Sequence, residues 1–477
     1  MGASARRGRP GRPGLLGCLA GLLAAAGRAA GALDAECPAG GLPGAFASRD
    51  RRPGARRAAN SLRVATFNAE WLFDGNDGDP KISPWKGNPA GAAAHLERVA
   101  DVVGALDADI LAVEEVEDCL NLRALAELLN SRAPAVPGGA PDEGRYAPFL
   151  VKGKDSYTGQ DVGLLTRIDP DRPLERTEAR AVLPVAGSMC YGSPVPEGDG
   201  GRSTGVSKHF RAYFDVGGVK LAVLGAHFIS RPTDPSRCEQ REGQATVMRD
   251  YLFEAAAEGH HVVFLGNLND FSDRVPDAHA NRPSSRVLPI LRGDAGEGSG
   301  VGPEVPLHEV ACALPAPERY TSWWDHAPKD GKDNGGAEHS SIDHLLLSTF
   351  LFERASNVSI GHFYDAAEVS DHWPISVTIA LNASAAEAPG LGCAAPGDGH
   401  GGEDGTESQS EAKSADGGAG FGGLGHAATL ATLIGMNAGF FFLGGAVGYV
   451  VGLRRGRLAH LGRYSRSLSM VNQDFTL

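Results

Sequence analysis

Ser341-Ile342-Asp343-His344-Leu345-Leu346-Leu347 and Val369-Ser370-Asp371-His372-Trp373-Pro374-Ile375 each set an Asp-His pair beside a run with the apolar content of a buried strand. A strand that ends in this way presents a carboxylate and an imidazole to the cleft beyond it, and two such ends imply one shared cleft. Other apolar runs stop on polar residues in the same manner. Asn68 closes 62–67, Glu115 follows 109–113, His227 closes the run from 219, and Asn267 and Asn269 close the run from 261. Taken singly, a polar residue after a strand is a turn residue.

The intervening chain supplies the layers. Leu96, Val99, Val103 and Leu106 recur at helical spacing over 95–106, and 122–129 and 244–257 read as covering helices. Further apolar runs at 162–165, 345–348 and 375–381 read as strands, separated by Pro/Gly-rich loops such as 187–205 and 273–302. Strand, helix and strand joined by short turns predict a layered α/β domain over 62–382. One carboxylate among oxygen-bearing ligands suits Mg²⁺, which prefers a few hard oxygens, waters and a substrate phosphate. Two histidines suit acid–base work, one activating water and the other protonating a leaving oxygen or steadying charge.

The ordered set is recognisable as a whole. Ala65-Thr66-Phe67-Asn68-Ala69-Glu70-Trp71-Leu72, Asp109-Ile110-Leu111-Ala112-Val113-Glu114-Glu115-Val116, Gly225-Ala226-His227, Leu265-Gly266-Asn267-Leu268-Asn269, Ile342-Asp343 and Ser370-Asp371-His372-Trp373-Pro374-Ile375 resemble the endonuclease/exonuclease/phosphatase family, the deoxyribonuclease I-like group. The resemblance spans about 62–381. It implies a four-layer αββα sandwich of two mixed sheets with an active site at one end. It also implies that Glu115 is the principal metal carboxylate with Asn68 its neighbour, and that His227 and His372 are the acid–base pair. Asp343 would orient His372, Asn269 would contact phosphate, and Asp371 would serve the metal or phosphate. Asp161 would orient His227 or make a structural contact at its strand's start. Tyr157 is a further phosphate-site candidate, while Trp323 and Trp324 could stack a base or sugar or pack half-buried. The implied cofactor is Mg²⁺, with Mn²⁺ or Ca²⁺ as substitutes.

One departure bears on catalysis. The family writes Gly-Asp-x-Asn where this chain has Gly266-Asn267-Leu268-Asn269. An amide holds a water by hydrogen bonds but cannot take its proton, so activity would fall or be rewired through Asp270, the next carboxylate.

The ends of the chain carry addresses. Arg6, Arg7, Arg9 and Arg12 precede the apolar run 15–26, and Ala30-Gly31-Ala32 is a small-residue cleavage site, so 1–32 reads as a secretory signal. An Arg/Gly/Pro-rich disordered lead-in follows over 33–61. Residues 383–426 form an acidic Gly/Ser-rich stalk. Residues 427–453 contain no charge and are long enough to span a bilayer, with Arg454, Arg455 and Arg457 directly after them. That asymmetry predicts a single-pass anchor, a cytoplasmic tail over 454–477 and a catalytic domain outside or in a lumen. Gly444, Gly448 and Gly452 share one helix face and suggest a homodimer contact. Omitting Cys18 of the signal leaves six cysteines, an even number that fits a disulfide framework; Cys37 and Cys393 flank the domain and could tie its ends. Asn357 and Asn382 open glycosylation sequons.

Residues 62–382 hold 29 basic and 47 acidic side chains. Such a surface argues against broad non-specific nucleic-acid binding, yet leaves room for a phosphodiesterase whose cation meets the phosphate. The expectation is a membrane-anchored, divalent-metal-dependent phosphodiesterase acting on nucleic acid. The alternatives are a sphingomyelinase-like enzyme acting on a phospholipid headgroup and a silent binding ectodomain that lost its Asp.

Overall fold

The computed structural model describes residues 61–133, 144–190, 202–294, 305–326, 328–381 and 390–393. Two mixed sheets dominate them. The first joins β1 (Ser61–Leu72), β2 (Ile110–Val116), β3 (Ala147–Leu150), β4 (Asp161–Thr166), β14 (Ala355–Ile360) and β15 (Ile375–Ala380) in the order β14-β15-β1-β2-β4-β3. The second joins β7 (Lys208–Val216), β8 (Val219–His227), β9 (His261–Asn267), β10 (Leu307–Glu309) and β13 (Asp343–Ser348) in the order β10-β13-β9-β8-β7. Two-residue ribbons pair β5 (Ala181–Val182) with β6 (Ser203–Thr204) and β11 (Ser322–Trp323) with β12 (His339–Ser340).

Each large sheet has one parallel pair at its centre, β1 with β2 and β8 with β9, among antiparallel neighbours. A parallel pair needs a crossover, and a helix supplies each. Helix α1 (Pro89–Leu106) links β1 to β2, and α3 (Cys238–Ala257) links β8 to β9. Asn88 caps α1 by accepting the Gly91 N–H, with Pro89 in the first turn, where its missing N–H costs nothing. Helix α2 (Cys119–Arg132) opens on the Asp118 side chain, which accepts from Leu120 N and Asn121 N. Short helices α4 (Val287–Arg292) and α5 (Thr349–Phe352) complete the set.

Side-chain parity explains the layering, because alternate residues of a strand face opposite sides. Leu62, Val64, Ile110, Ala112, Val162, Leu164 and Val377 of the first sheet meet Phe210, Ala212, Leu221, Val223, Val263, Leu265 and Leu345 of the second in one core. The opposite phase, Phe67, Leu111 and Val113, packs under α1 and α2 with Val99, Val103, Leu122 and Leu125. Ala222, Leu224, Val262 and Phe264 likewise pack under α3 and α4 with Met248, Leu252, Val287 and Leu291. The result is four layers, helix–sheet–sheet–helix.

The expected strands and helices are present, with longer ends: β1 runs through Leu72 and α1 starts at Pro89. Strand β7 was not anticipated; its charged and polar members, Lys208, His209 and Arg211, are buried and partnered, which breaks the apolar pattern. Disulfides join Cys190 to Cys238 and Cys312 to Cys393, and Cys119 is also disulfide-bonded. A tie between Cys37 and Cys393 is therefore not formed: Cys393 has its partner in Cys312, with Cα atoms 5.8 Å apart. No helix among the described residues is long and apolar enough to cross a membrane. The expected signal, lead-in, stalk, membrane helix (with Gly444, Gly448 and Gly452) and tail lie outside the described residues, apart from 61 and 390–393.

Candidate active site

The residues that face the gap between the sheets turn from apolar to polar at the end where the parallel pairs finish. On β1, Thr66 and Asn68 continue the phase of Leu62 and Val64; on β2, Glu114 continues that of Ile110 and Ala112. On the second sheet Lys208, His227, Asn267 and Asp343 hold the phase of Phe210, Val223, Leu265 and Leu345. Register binds these ends together, with Asn68 opposite Glu114, Lys208 and Asn267 flanking His227, and Asp343 opposite Asn267.

Sheet one presents carboxylates. Register breaks between Asn68 and Leu72 and between Glu114 and Val116, and Glu70, Trp71 and Glu115 all have positive φ (47°, 61° and 63°). Irregularities of this kind re-aim side chains next to sites. Glu115 Oε1 accepts from Asn68 Nδ2 at 3.3 Å and Oε2 from the Trp71 N–H at 3.1 Å. Burial, then the Asp371 charge, raise Glu115 above the ordinary carboxylate range. Glu114 is fully buried, accepts from the Thr66 hydroxyl at 2.5 Å and is pushed up to about 8 by burial.

Two imidazoles face this group, His227 at the end of β8 in the second sheet and His372 in the turn before β15 of the first. His372 Nδ1 lies 2.7 Å from Asp343 Oδ2, which also accepts the Thr321 hydroxyl at 2.8 Å. Burial opposes protonation of His372, but Asp343 and Asp371 outweigh it and raise the ring to about 10. His227 moves the other way: burial, then the charges of Lys208 and His372, take it well below its ordinary value. Its Nδ1 is buried without a hydrogen-bond partner. Ser370 ties the turn before β15 to β1, donating to Asn68 O at 2.7 Å while accepting the His372 N–H at 3.1 Å. Asp371, about 40 % exposed, places Oδ1 3.8 Å from His372 Nε2.

Asn267 sits where its Nδ2 lies 3.3–3.4 Å from both ring nitrogens of His372, and its Oδ1 accepts the Asn269 N–H at 3.1 Å. Gly266 before it has φ +134°, and a Cβ there would stand 2.0 Å from Ala226 O, so only glycine lets β8 and β9 close at this point. The Asn269 amide donates to Phe228 O at 3.1 Å.

Of the two readings of Asp161 the structural contact at its strand's start holds and the other falls, and rewiring through Asp270 is corrected. Asp161 does not orient His227: it is one residue out of phase with Val162 and Leu164, and it pairs with Lys152 Nζ at 2.6 Å and the Gly153 N–H at 2.6 Å. Its neighbour Gln160 takes the gap-facing phase and accepts from Lys208 Nζ at 3.3 Å. Asp270 is not available for rewiring either. It is fully buried on the far side of the turn, accepting the backbone N–H groups of Phe271, Ser284 and Ser285.

The rim candidates divide. Tyr157 is 75 % exposed on a loop that the Lys208–Asp155 ion pair (3.3 Å) ties to the cleft edge. Trp323 flanks the site through its N–H to Asp371 O, but its indole donates to Glu338 Oε2 at 3.1 Å, so it is packed in place. Trp324 is 53 % exposed. Sequence reading missed Lys208, Thr321, Glu114 and Trp71. The Glu114-Glu115 doublet was the available signal for Glu114; Lys208 and Thr321 lie in strands or loops with no apolar pattern to mark them.

Asn68, Glu115 and Asp371 fit a hard divalent cation. The Asp371 charge raises Glu115, a repulsion that a cation between them would relieve, and Asn68, whose Nδ2 donates to Glu115 while its Oδ1 accepts the Glu70 N–H at 3.0 Å, has an amide oxygen to add.

The family model described as Endonuclease/Exonuclease/phosphatase family matches residues 65–372. No curated protein matches the chain. Among solved structures, truncated TDP2 from Caenorhabditis elegans shares 18% identity with a TM-score of 0.36, over 67% of this chain and 97% of that one. An endonuclease/exonuclease/phosphatase from Beutenbergia cavernae shares 17% identity with a TM-score of 0.38, over 68% and 72%. A 3'-5' exonuclease from Neisseria meningitidis shares 14% identity with a TM-score of 0.38, over 66% and 98%.

Proposed function

The chain belongs to the endonuclease/exonuclease/phosphatase family, and we propose that it is a divalent-metal-dependent phosphodiesterase acting on nucleic-acid phosphodiesters. The observation that carries the reading is the opposition of the two histidines across one polar end. His372, raised to about 10 by Asp343 and Asp371 against burial, is drawn toward its protonated form. His227, pushed well down by burial and Lys208, is neutral. Environments that drive two titratable groups apart assign an acid and a base.

In this reading Glu115, Asn68 and Asp371 would hold Mg²⁺, which would neutralise charge on the phosphate oxygens. His372 donates a proton to the leaving oxygen as its bond to phosphorus breaks, or a charge-assisted hydrogen bond to the phosphate, held in register by Asp343 and, through it, Thr321. Neutral His227 takes a proton from the attacking water. Asn267 positions that water as an amide, so the proton has His227 alone to go to, without a second carboxylate to draw it. Lys208, buried opposite His227, supplies fixed positive charge toward a phosphate. Trp324 and Tyr157 offer exposed rings at the rim for a base.

The disulfides support an oxidising compartment, and hence the reading of a secreted or lumenal domain on a C-terminal anchor with a glycine-faced dimer contact. Asn267 favours a second reading, a silent binding ectodomain, because the carboxylate that would accept the water's proton is missing.

The test is the purified full chain with Mg²⁺ or Mn²⁺ against plasmid DNA, RNA and sphingomyelin vesicles, with His227→Ala as control. Metal-dependent cleavage of nucleic acid, lost in the variant, is the expected result. Cleavage of the lipid alone would transfer the function to a headgroup phosphodiesterase. Inactivity on all three, relieved by Asn267→Asp, would select the silent ectodomain.

A further inference from the structure

Beyond the site just described, a second group of carboxylates gathers where β1 and β2 run out. After Leu72 the chain makes the loop Asp74-Gly75-Asn76-Asp77-Gly78-Asp79 before α1, and Glu117 follows β2 by one residue. Carboxylate oxygens of Asp74, Asp79 and Glu117 lie within 4.8 Å of one another. The backbone builds this arrangement deliberately: the Asp74 N–H donates to Glu117 Oε2 at 3.0 Å, and the Glu117 N–H donates to Leu72 O at 3.2 Å. Asn121 on α2 also donates to Glu117 Oε2, at 2.8 Å. Gly75 makes the turn at φ +77°, where a Cβ would press on the Asn88 backbone at 2.8 Å.

Asp79 is the independent sign of a ligand. Its side chain is 2 % exposed, one oxygen takes the Ser83 hydroxyl at 3.2 Å, and the other, Oδ1, is buried without a hydrogen-bond partner. A carboxylate withdrawn from water toward two others, with an oxygen left unsatisfied, is costly unless something positive meets it. The loop's own ammonium does not: Lys86 Nζ donates to the carbonyl oxygens of Asp77 and Asp79.

We propose that Asp74, Asp79 and Glu117 bind a second divalent cation, Ca²⁺, that pins the loop before α1 to the end of β2. The donors are all oxygen, the preference of a hard cation, and Ca²⁺ accepts irregular sets of six to eight oxygens completed by water. Bonds of about 2.4 Å put two ligands of one Ca²⁺ at most about 4.8 Å apart, the span within which these oxygens lie. Glu115 turns the other way, onto Asn68 and the Trp71 N–H, so the two cations share a strand end but no ligand. The loop cation steadies the segment whose Trp71 N–H holds Glu115, which links its occupancy to the geometry of the active-site carboxylate.

Trp71 and Trp85, packed with Phe73 beside this loop, make the site readable by Tb³⁺ luminescence excited through tryptophan. In the full chain, Tb³⁺ emission displaced by Ca²⁺ is expected to persist in Glu115→Gln and to fall at least about 10-fold in Asp79→Asn and Asp74→Asn. Saturating Ca²⁺ should raise Tm by on the order of 5 °C in the wild type and Glu115→Gln, and by much less in the other two. Asp74→Asn guards against misfolding of the buried variant, since Asp74 is half-exposed and an amide keeps its bond to the Asn76 N–H. Emission unchanged in both Asp variants, or lost in Glu115→Gln alone, would overturn the proposal and leave one cation, at Glu115.

Discussion

The two sheets end alike in topology and unlike in chemistry. Each finishes a central parallel pair at the same end of the sandwich, β1 with β2 and β8 with β9. The β1–β2 end collects Glu114, Glu115 and Glu117, two of them pushed up to about 8 and the third also raised, in each case chiefly by burial. The β8–β9 end offers His227, Asn267 and Asn269, and its one gap-facing carboxylate, Asp343 on neighbouring β13, is committed to His372. In the proposed reading the first group would hold a cation, and the second, joined by His372 from the turn before β15, would hold and move protons. The difference teaches that the departure at Asn267 would fall on the proton-handling group and leave Glu115 and Asn68 unchanged.

Variants that separate the two halves should therefore differ in what they lose. Glu115→Ala is expected to abolish metal-dependent hydrolysis by on the order of 10⁴-fold, with loss of active-site Mn²⁺ measured by calorimetry. His227→Ala should cost about 10³-fold in kcat while Mn²⁺ affinity at Glu115 is retained. If Mn²⁺ affinity fell together with activity, the division of labour would be wrong. Asp343→Asn should cost about 10²-fold and alter the pH profile. His372 is raised in the folded state, so its pairing contributes stability fully below its ordinary value near 6.5, lost as pH rises through about 10. Urea midpoints across that window should fall with pH in the wild type and change less in the variant.

Asn267→Asp sharpens the comparison from the other side. Restoring a carboxylate should raise kcat by about 10-fold, because the half it repairs is the one that is deficient. Asp161→Asn is the smallest effect expected on activity, under about threefold. It should instead lower stability by about 1–3 kcal/mol, since the amide keeps only one acceptor for the Gly153 N–H and sets a neutral group against Lys152 Nζ in place of its charge. A large loss of kcat with unchanged stability would return Asp161 to the catalytic set.

Much of this was legible in the sequence, and for a physical reason. A strand's period of two carries one phase from the buried core straight into the site, so Asn68, His227, Asn267 and Asp343 could be read from the apolar runs they terminate. The same rule decides between the two readings of Asp161, which is out of phase by one residue and makes the structural contact at the start of β4. Lys208 stayed hidden because β7 buries Lys208, His209 and Arg211 against partners distant in sequence, Gln160, Thr177 and Glu175 among them. Asp270 looked available because sequence gives no sense of where a turn aims its side chain. The cluster of Asp74, Asp79 and Glu117 joins residues some forty positions apart through the β1–β2 pairing, a proximity that appears only once the strands are in register.

The most direct test of the meeting of the two ends is paramagnetic. With the chain labelled at its histidines, substoichiometric Mn²⁺ should broaden the imidazole signals of His227 and His372 together, and Glu115→Gln should abolish the effect on both. Sharp signals from either histidine at Mn²⁺ saturation of the wild type would contradict the account, since the cation and the proton-handling pair would then belong to different places in the molecule.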